Sequence, residues 1–136
     1  MTARHERRQR AQSMLEFALT VGLLMLLIVV TAQVAIFLHY RGSLDTAARE
    51  GAFEAGLVGH SPADGRRTTL DLWAKLEPGG GAIQVDARRV GNLVVIDASG
   101  TAPALLPVPV PPYRALPIRA HAVHTVEQFE PGASTS

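Results

Sequence analysis

FALTVGLLMLLIVVTAQVAIFL, residues 17–38, runs for 22 residues without a charge. As a helix rising 1.5 Å per residue it covers roughly 33 Å, about the thickness of a hydrocarbon core. Its polar members are Thr20, Thr31 and Gln33. A threonine hydroxyl can bond back to its own helix. Gln33 lies near one end, where water and headgroups are close. Gly22 costs some helix propensity but is tolerated in lipid. The stretch therefore reads as one transmembrane helix, and everything else must be arranged around that anchor.

The flanks give its direction. Arg4, Arg7, Arg8 and Arg10 stand against Glu6, so the first eleven residues carry a charge of +3 and the remainder −2 of the total +1. Beyond the span Arg41, Asp45, Arg49 and Glu50 are mixed in sign. The positive-inside bias then places the N-terminus in the cytoplasm and the bulk of the chain outside. His39 and Tyr40 occupy the interfacial position. The basic signal is one of topology, and no basic face suited to nucleic acid is left over.

With 136 residues there is room for one domain, and the anchor takes a good part of it, so any core is modest. The absence of cysteine removes disulfides, thiolate metal sites and a cysteine nucleophile. A domain held outside the cytoplasm must then rely on packing or on partners.

Past the membrane the helix is expected to continue. Leu44, Ala47, Ala48, Gly51, Ala52 and Ala55 recur at three- and four-residue spacing. Leu44, Ala48, Ala52 and Ala55 form a packing stripe of mostly small side chains. Such a stripe lets another element approach closely, either from the chain's own domain or from a neighbouring subunit. Gly56, Gly59 and Ser61-Pro62 end this helix. A short helix is expected next, capped by Thr68 or Thr69 with Asp71 in its first turn, and with Leu70, Leu72, Trp73 and Leu76 as its apolar contacts. Pro78-Gly79-Gly80-Gly81 stops it.

Ile83, Val85 and Ala87 alternate with Gln84, Asp86 and Arg88, and Gly91-Asn92 then offers a two-residue hairpin turn. Pairing Val90 with Leu93 sets Ala87 opposite Ile96 and Val85 opposite Ala98. One face then carries Ile83, Val85, Ala87, Val94, Ile96 and Ala98, while Gln84, Asp86, Arg88, Val95 and Asp97 share the other. A slip of one residue would destroy that agreement. The stretch Pro103–Pro117 is expected to be an extended connection. A third strand follows, with Ile118, Ala120, Ala122, His124 and Val126 alternating with Arg119, His121, Val123, Thr125 and Glu127.

No catalytic constellation emerges. His121 and His124 are three apart on a strand and so face opposite ways. Ser13, Ser43 and Ser61 have no nearby His and carboxylate in a recognisable catalytic pattern. Gly79-Gly80-Gly81 lacks the following Lys and Ser/Thr of a phosphate loop. Glu50 and Glu54 read as an exposed polar face. The expectation is a protein that is not an enzyme, with no cofactor, no metal and no small-molecule substrate.

One charge stands apart. Glu16 sits at the edge of the apolar run, where a carboxylate costs little; drawn to the bilayer centre it would cost about 3 kcal/mol. Remaining among the headgroups is one reading of it that the charge pattern leaves open. But RAQSMLEF, residues 10–17, leading straight into the apolar run, resembles the N-terminus of the TadE-like family of pseudopilins. That family serves tight-adherence (Tad, or Flp) pilus systems, related to type IV pili and type II secretion. Its members begin with a short basic leader. A Gly, four residues and then Glu-Phe or Glu-Tyr lead into the membrane helix, and a prepilin peptidase cuts after the Gly. Carried over by position, the processing motif here is Ala11, Gln12, Glu16 and Phe17. Cleavage falls between Ala11 and Gln12, and Glu16 becomes the fifth residue of the mature chain. The chain departs from the pattern at Ala11, one methyl larger than the usual Gly.

The resemblance implies that Glu16 neutralises the free amine on the first residue of a neighbouring subunit. It implies as partners the lipid bilayer, a prepilin peptidase, other pilin-like subunits and the Tad membrane platform. It also implies residence in a bacterial cytoplasmic membrane. The fold expected is α+β: a long N-terminal transmembrane helix extending outside the membrane, a short helix, and an antiparallel sheet of about three strands. The boundaries are a basic leader at 1–11, the span at 12–38, a helical extension at 39–60, a small domain at 61–130 and a disordered tail at 131–136. A secreted protein cut by signal peptidase after Val30-Thr31-Ala32 is the alternative. A membrane-tethered enzyme or binding module is a third, with no residue set to support it.

Overall fold

The first proline of the chain is Pro62, and before it the backbone forms one helix, α1, Thr2–Gly56. The structure, a computed structural model, describes residues 2–105 and 115–127. After α1 come α2 (Pro62–Leu76), β1 (Gln84–Val90), β2 (Leu93–Pro103) and β3 (Ala115–Thr125). The chain divides into two units, Met1–Ala35 and Ile36–Ser136.

The first unit contributes only helix. Its large apolar side chains are uncovered: Phe17 is 71% exposed and Leu23 67%. This stretch is long and apolar enough to cross a membrane, and none of it is buried by protein. A contiguous oily surface of this kind needs lipid or another protein against it. Thr20 Oγ1 donates to the Glu16 carbonyl and Thr31 Oγ1 to the Leu27 carbonyl, both at 2.8 Å, so these hydroxyls are satisfied within the helix.

In the second unit two helices lie on one face of the sheet. Leu44, Ala47, Ala48, Ala52 and Ala55 of α1 are buried together with Trp73 of α2 and with Val94, Ile96, Ala98, Ile118, Ala120 and Ala122 of the strands. The two helices touch through glycines. A Cβ on Gly51 would collide with Thr69 Oγ1 and lie 2.5 Å from the Gly65 carbonyl oxygen. One on Gly65 would stand 2.6 Å from Ala55 Cβ. Leu44 is the largest α1 side chain in this core, so the layers approach closely at the cost of a thin interior.

Helix α2 begins earlier than the sequence reading places it. Ser61 is the N-cap and Pro62 occupies the first turn. Asp64 completes a capping box, its carboxylate accepting from the Ser61 N–H at 2.8 Å. Thr68 and Thr69 are therefore interior residues, and Asp71 lies well past the first turn. Thr69 is fully buried and returns its hydroxyl to the Gly65 carbonyl at 2.9 Å. The Ser-Pro pair that stops α1 also starts α2, because proline suits the first helical turn and serine caps it.

The sheet has strand order β1-β2-β3, antiparallel throughout. The hairpin register is the expected one, with Val90 opposite Leu93, Ala87 opposite Ile96 and Val85 opposite Ala98. Gly91, at φ 58°, takes the left-handed conformation this turn requires. Ile118, Ala120 and Ala122 of β3 join the inner face opposite Gly100, Ala98 and Ile96. The proline stretch is shorter than expected as a connection. Pro103 is the last residue of β2, and Pro117 lies inside β3. Pro117 is accommodated because β3 is an edge strand, where a missing N–H breaks no ladder bond. The rest of that connection and the tail at 131–136 lie outside the described residues.

Candidate functional site

The proposed processing residues sit on consecutive turns of α1. Ala11, Gln12, Glu16 and Phe17 are all exposed, and the Ala11–Gln12 peptide is helical. Gln12 Nε2 donates to Glu16 Oε1 at 3.3 Å, an i, i+4 contact across one turn. Glu16 therefore enters the apolar run with one carboxylate oxygen held by an amide and, among the described residues, with no cation on it.

The small-residue stripe is fully used inside the chain. Leu44 and Ala48 are 0% exposed, Ala52 1% and Ala55 2%. Of the two surfaces the spacing allowed, α2 and the sheet of the same chain fill this one.

Three polar clusters surround the core. The first joins α1 to the end of α2. Ser43 Oγ donates to Glu77 Oε1 at 2.7 Å, and His39 Nε2 lies 2.9 Å from the same oxygen. Glu77 is the C-cap of α2 and is only 8% exposed, so its carboxylate depends on these two partners. Beside it Tyr40 packs edge-on against Trp73, whose Nε1 donates to the Gly81 carbonyl at 3.0 Å. Local sequence gave no hint of this cluster: Ser43 and Glu77 are 34 residues apart. It brings a serine, a histidine and a carboxylate together, yet serine and histidine both meet the carboxylate. The arrangement supports a tie between helices, since no base is set on the serine hydroxyl.

The second cluster lies on the outer face of the sheet. Arg88 reaches Asp86 at 2.9 Å and Asp97 at 2.8 Å, and His121 Nδ1 is 2.5 Å from Asp97. The hydrogen bond from His121, with Arg88 as the second donor, holds the Asp97 carboxyl below the usual range. The bonds to Asp86 and Asp97 raise the Arg88 guanidinium further. The third cluster is at the far end of α1. There His124 meets the Phe53 ring edge-on, with centroids 5.3 Å apart, and His60 Nδ1 pairs with Glu54 at 2.9 Å. His121 and His124 thus belong to different clusters. Among the described residues no three His, Asp or Glu side chains are placed to hold a metal ion.

A family profile described as TadE-like protein matches residues 11–52 of this chain. The match begins at Ala11 and ends at Ala52 within the buried stripe, leaving α2 and the sheet outside it. No match was found among curated proteins or among solved structures.

Proposed function

We propose that this chain is a minor pseudopilin of the TadE-like kind, a structural component of a Tad/Flp-type pilus or a related secretion apparatus. It works by assembly and not by catalysis. The observation that carries the reading is the sequence Ala11-Gln12-Ser13-Met14-Leu15-Glu16-Phe17 at the head of an apolar helix that none of the described residues covers, inside the segment with TadE-like similarity. The leader of residues 1–11 holds the chain in the bilayer with its arginines in the cytoplasm. A prepilin peptidase cuts after Ala11, which frees an amine on Gln12. That amine and the Glu16 carboxylate of a neighbouring subunit are each penalised in lipid when alone. Together they attract far more strongly than in water. Helix packing joins this subunit to other pilin-like subunits and to the membrane platform, and the α+β domain makes the contacts outside.

Two measurements test this. N-terminal sequencing of the membrane-extracted protein is expected to start at Gln12. A start at Gln33 would mean a cleaved signal peptide and a secreted domain, and would overturn the reading. Glu16→Ala is expected to leave membrane insertion intact while sharply reducing pilus assembly. Normal piliation in that variant would remove the charge-pairing role.

A further inference from the structure

Arg41 and Arg119 are brought together from α1 and β3 and line two adjoining hollows. One, of about 360 Å³, is walled by Phe37, Pro117 and Ile118 along with both arginines. The other, of about 920 Å³, is lined by the same two arginines together with Arg66, Gln84, Ser99 and His121. The carboxylates bordering the larger hollow are already engaged: Asp45 with Arg49 at 2.8 Å, and Asp86 and Asp97 with Arg88. Among the described residues, Arg41, Arg66 and Arg119 have no carboxylate partner. The smaller hollow is half apolar, and its Phe37 belongs to the uncharged run itself.

We infer that Arg41 and Arg119 form a binding site for the phosphate of an anionic phospholipid, with an acyl chain against Phe37 and Pro117. The inference rests on the membrane-spanning reading above, because only that places Arg41, three residues beyond Leu38, at headgroup level. Three arguments converge. The charge is complementary: guanidinium groups with no carboxylate counterion among the described residues bind phosphate by paired hydrogen bonds. The site is amphipathic in the order a lipid requires, oily wall first and cations above it. An arginine on this flank also works against the bias that orients the chain, and a bound anionic headgroup relieves that conflict. The dianionic or monoanionic phosphate is the chemistry recognised, and the neighbouring apolar wall selects a lipid over a free ion.

The test uses the full chain in nanodiscs of phosphatidylcholine containing a minor fraction of phosphatidylglycerol. Bound lipid is counted by native mass spectrometry after release. The wild type is expected to retain phosphatidylglycerol over phosphatidylcholine, and the preference is expected to fall about fivefold for each arginine lost in Arg41→Gln and Arg119→Gln. Arg89→Gln, at an exposed arginine that lines neither hollow, serves as the control and keeps the preference. Arg41→Lys with Arg119→Lys restores much of it, which separates loss of charge from loss of fold. Equal retention of both lipids by the wild type, or an undiminished preference in the double Gln variant, overturns the site. Displacement of the lipid by millimolar inorganic phosphate overturns the lipid assignment, as does displacement by an acidic peptide, which would identify a protein partner. Failure of the chain to enter nanodiscs at all refutes the membrane reading instead.

Discussion

Ser61 and Asp64 show how much a few atoms decide. Ser61 accepts from the Asp64 N–H, and the Asp64 carboxylate accepts in return from the Ser61 N–H and hydroxyl. The side-chain hydrogen bond from Ser61, then the backbone one, draws the Asp64 carboxyl below its ordinary range. The sign follows directly. A carboxyl lowered by folding adds stability that is complete above its unfolded value, near 3.9, and is lost as pH falls through the folded value. Asp97, lowered by His121 and Arg88, adds to the same acid-side loss. Ser61→Ala is expected to cost about 1 kcal/mol, read as a lower melting temperature of the full chain in detergent. In Asp64→Asn the loss of stability on acidification is expected to be shallower than in the wild type. A cap seven residues before Thr68 is visible in the sequence once Ser-Pro-x-Asp is read as a start as well as a stop. The Glu77 tie is different in kind. His39, Ser43 and Glu77 share no local pattern, and only the return of α2 along α1 makes them neighbours.

Among the elements, the hairpin was the most legible because its information is local. A two-residue turn with glycine first, flanked by period-two alternation, leaves one register that buries Val85, Val94, Ile96 and Ala98 on one face. The strand ends were less legible, since Pro103 and Pro117 read as loop, while Pro103 ends β2 beyond its pairing with β1 and Pro117 lies on edge strand β3. The small-residue stripe foretold a close approach but not what approaches. The answer lies in Gly65 and Thr69 of α2, which meet Gly51 at the crossing. Gly51→Ala is therefore expected to destabilise the full chain by about 1–3 kcal/mol, because backbone must move to admit the methyl group. Gly22→Ala makes the comparison: a Cβ there meets nothing within 4 Å, and alanine favours helix. Thermal melts of the two variants, side by side in the same detergent, read the difference.

At the scale of the whole molecule the decisive contrast is between an apolar helix left bare and a domain that covers its own small-residue stripe. Membrane orientation can be read cleanly because the chain has no cysteine of its own. Gln9→Cys in the leader, read in cells lacking the prepilin peptidase so that the leader stays attached, and Arg67→Cys on α2 each introduce a single exposed thiol. In intact cells a membrane-impermeant maleimide is expected to label Arg67→Cys and to spare Gln9→Cys until the membrane is breached. The reverse pattern would place the domain in the cytoplasm. The charge distribution is the basis of this expected topology, whereas the pair of hollows beside Arg41 needed β3 to be brought against α1. The outer face of the sheet also keeps Val90, Leu93 and Val123 largely exposed beside the Arg88 network. That face, rather than the alanine stripe, is the surface of the domain still open to neighbours.

The helical state of the Ala11–Gln12 peptide has one more consequence. A proteolytic cleft grips its substrate as an outstretched ribbon, with carbonyl and amide groups free to dock. Within α1 those groups are spent on the coil, and the Gln12 amide is clasped to Glu16 one turn on. Under the proposed function, a cut there has to await fraying of the arginine-bearing end. The speed of trimming then becomes a measure of how readily that end comes undone.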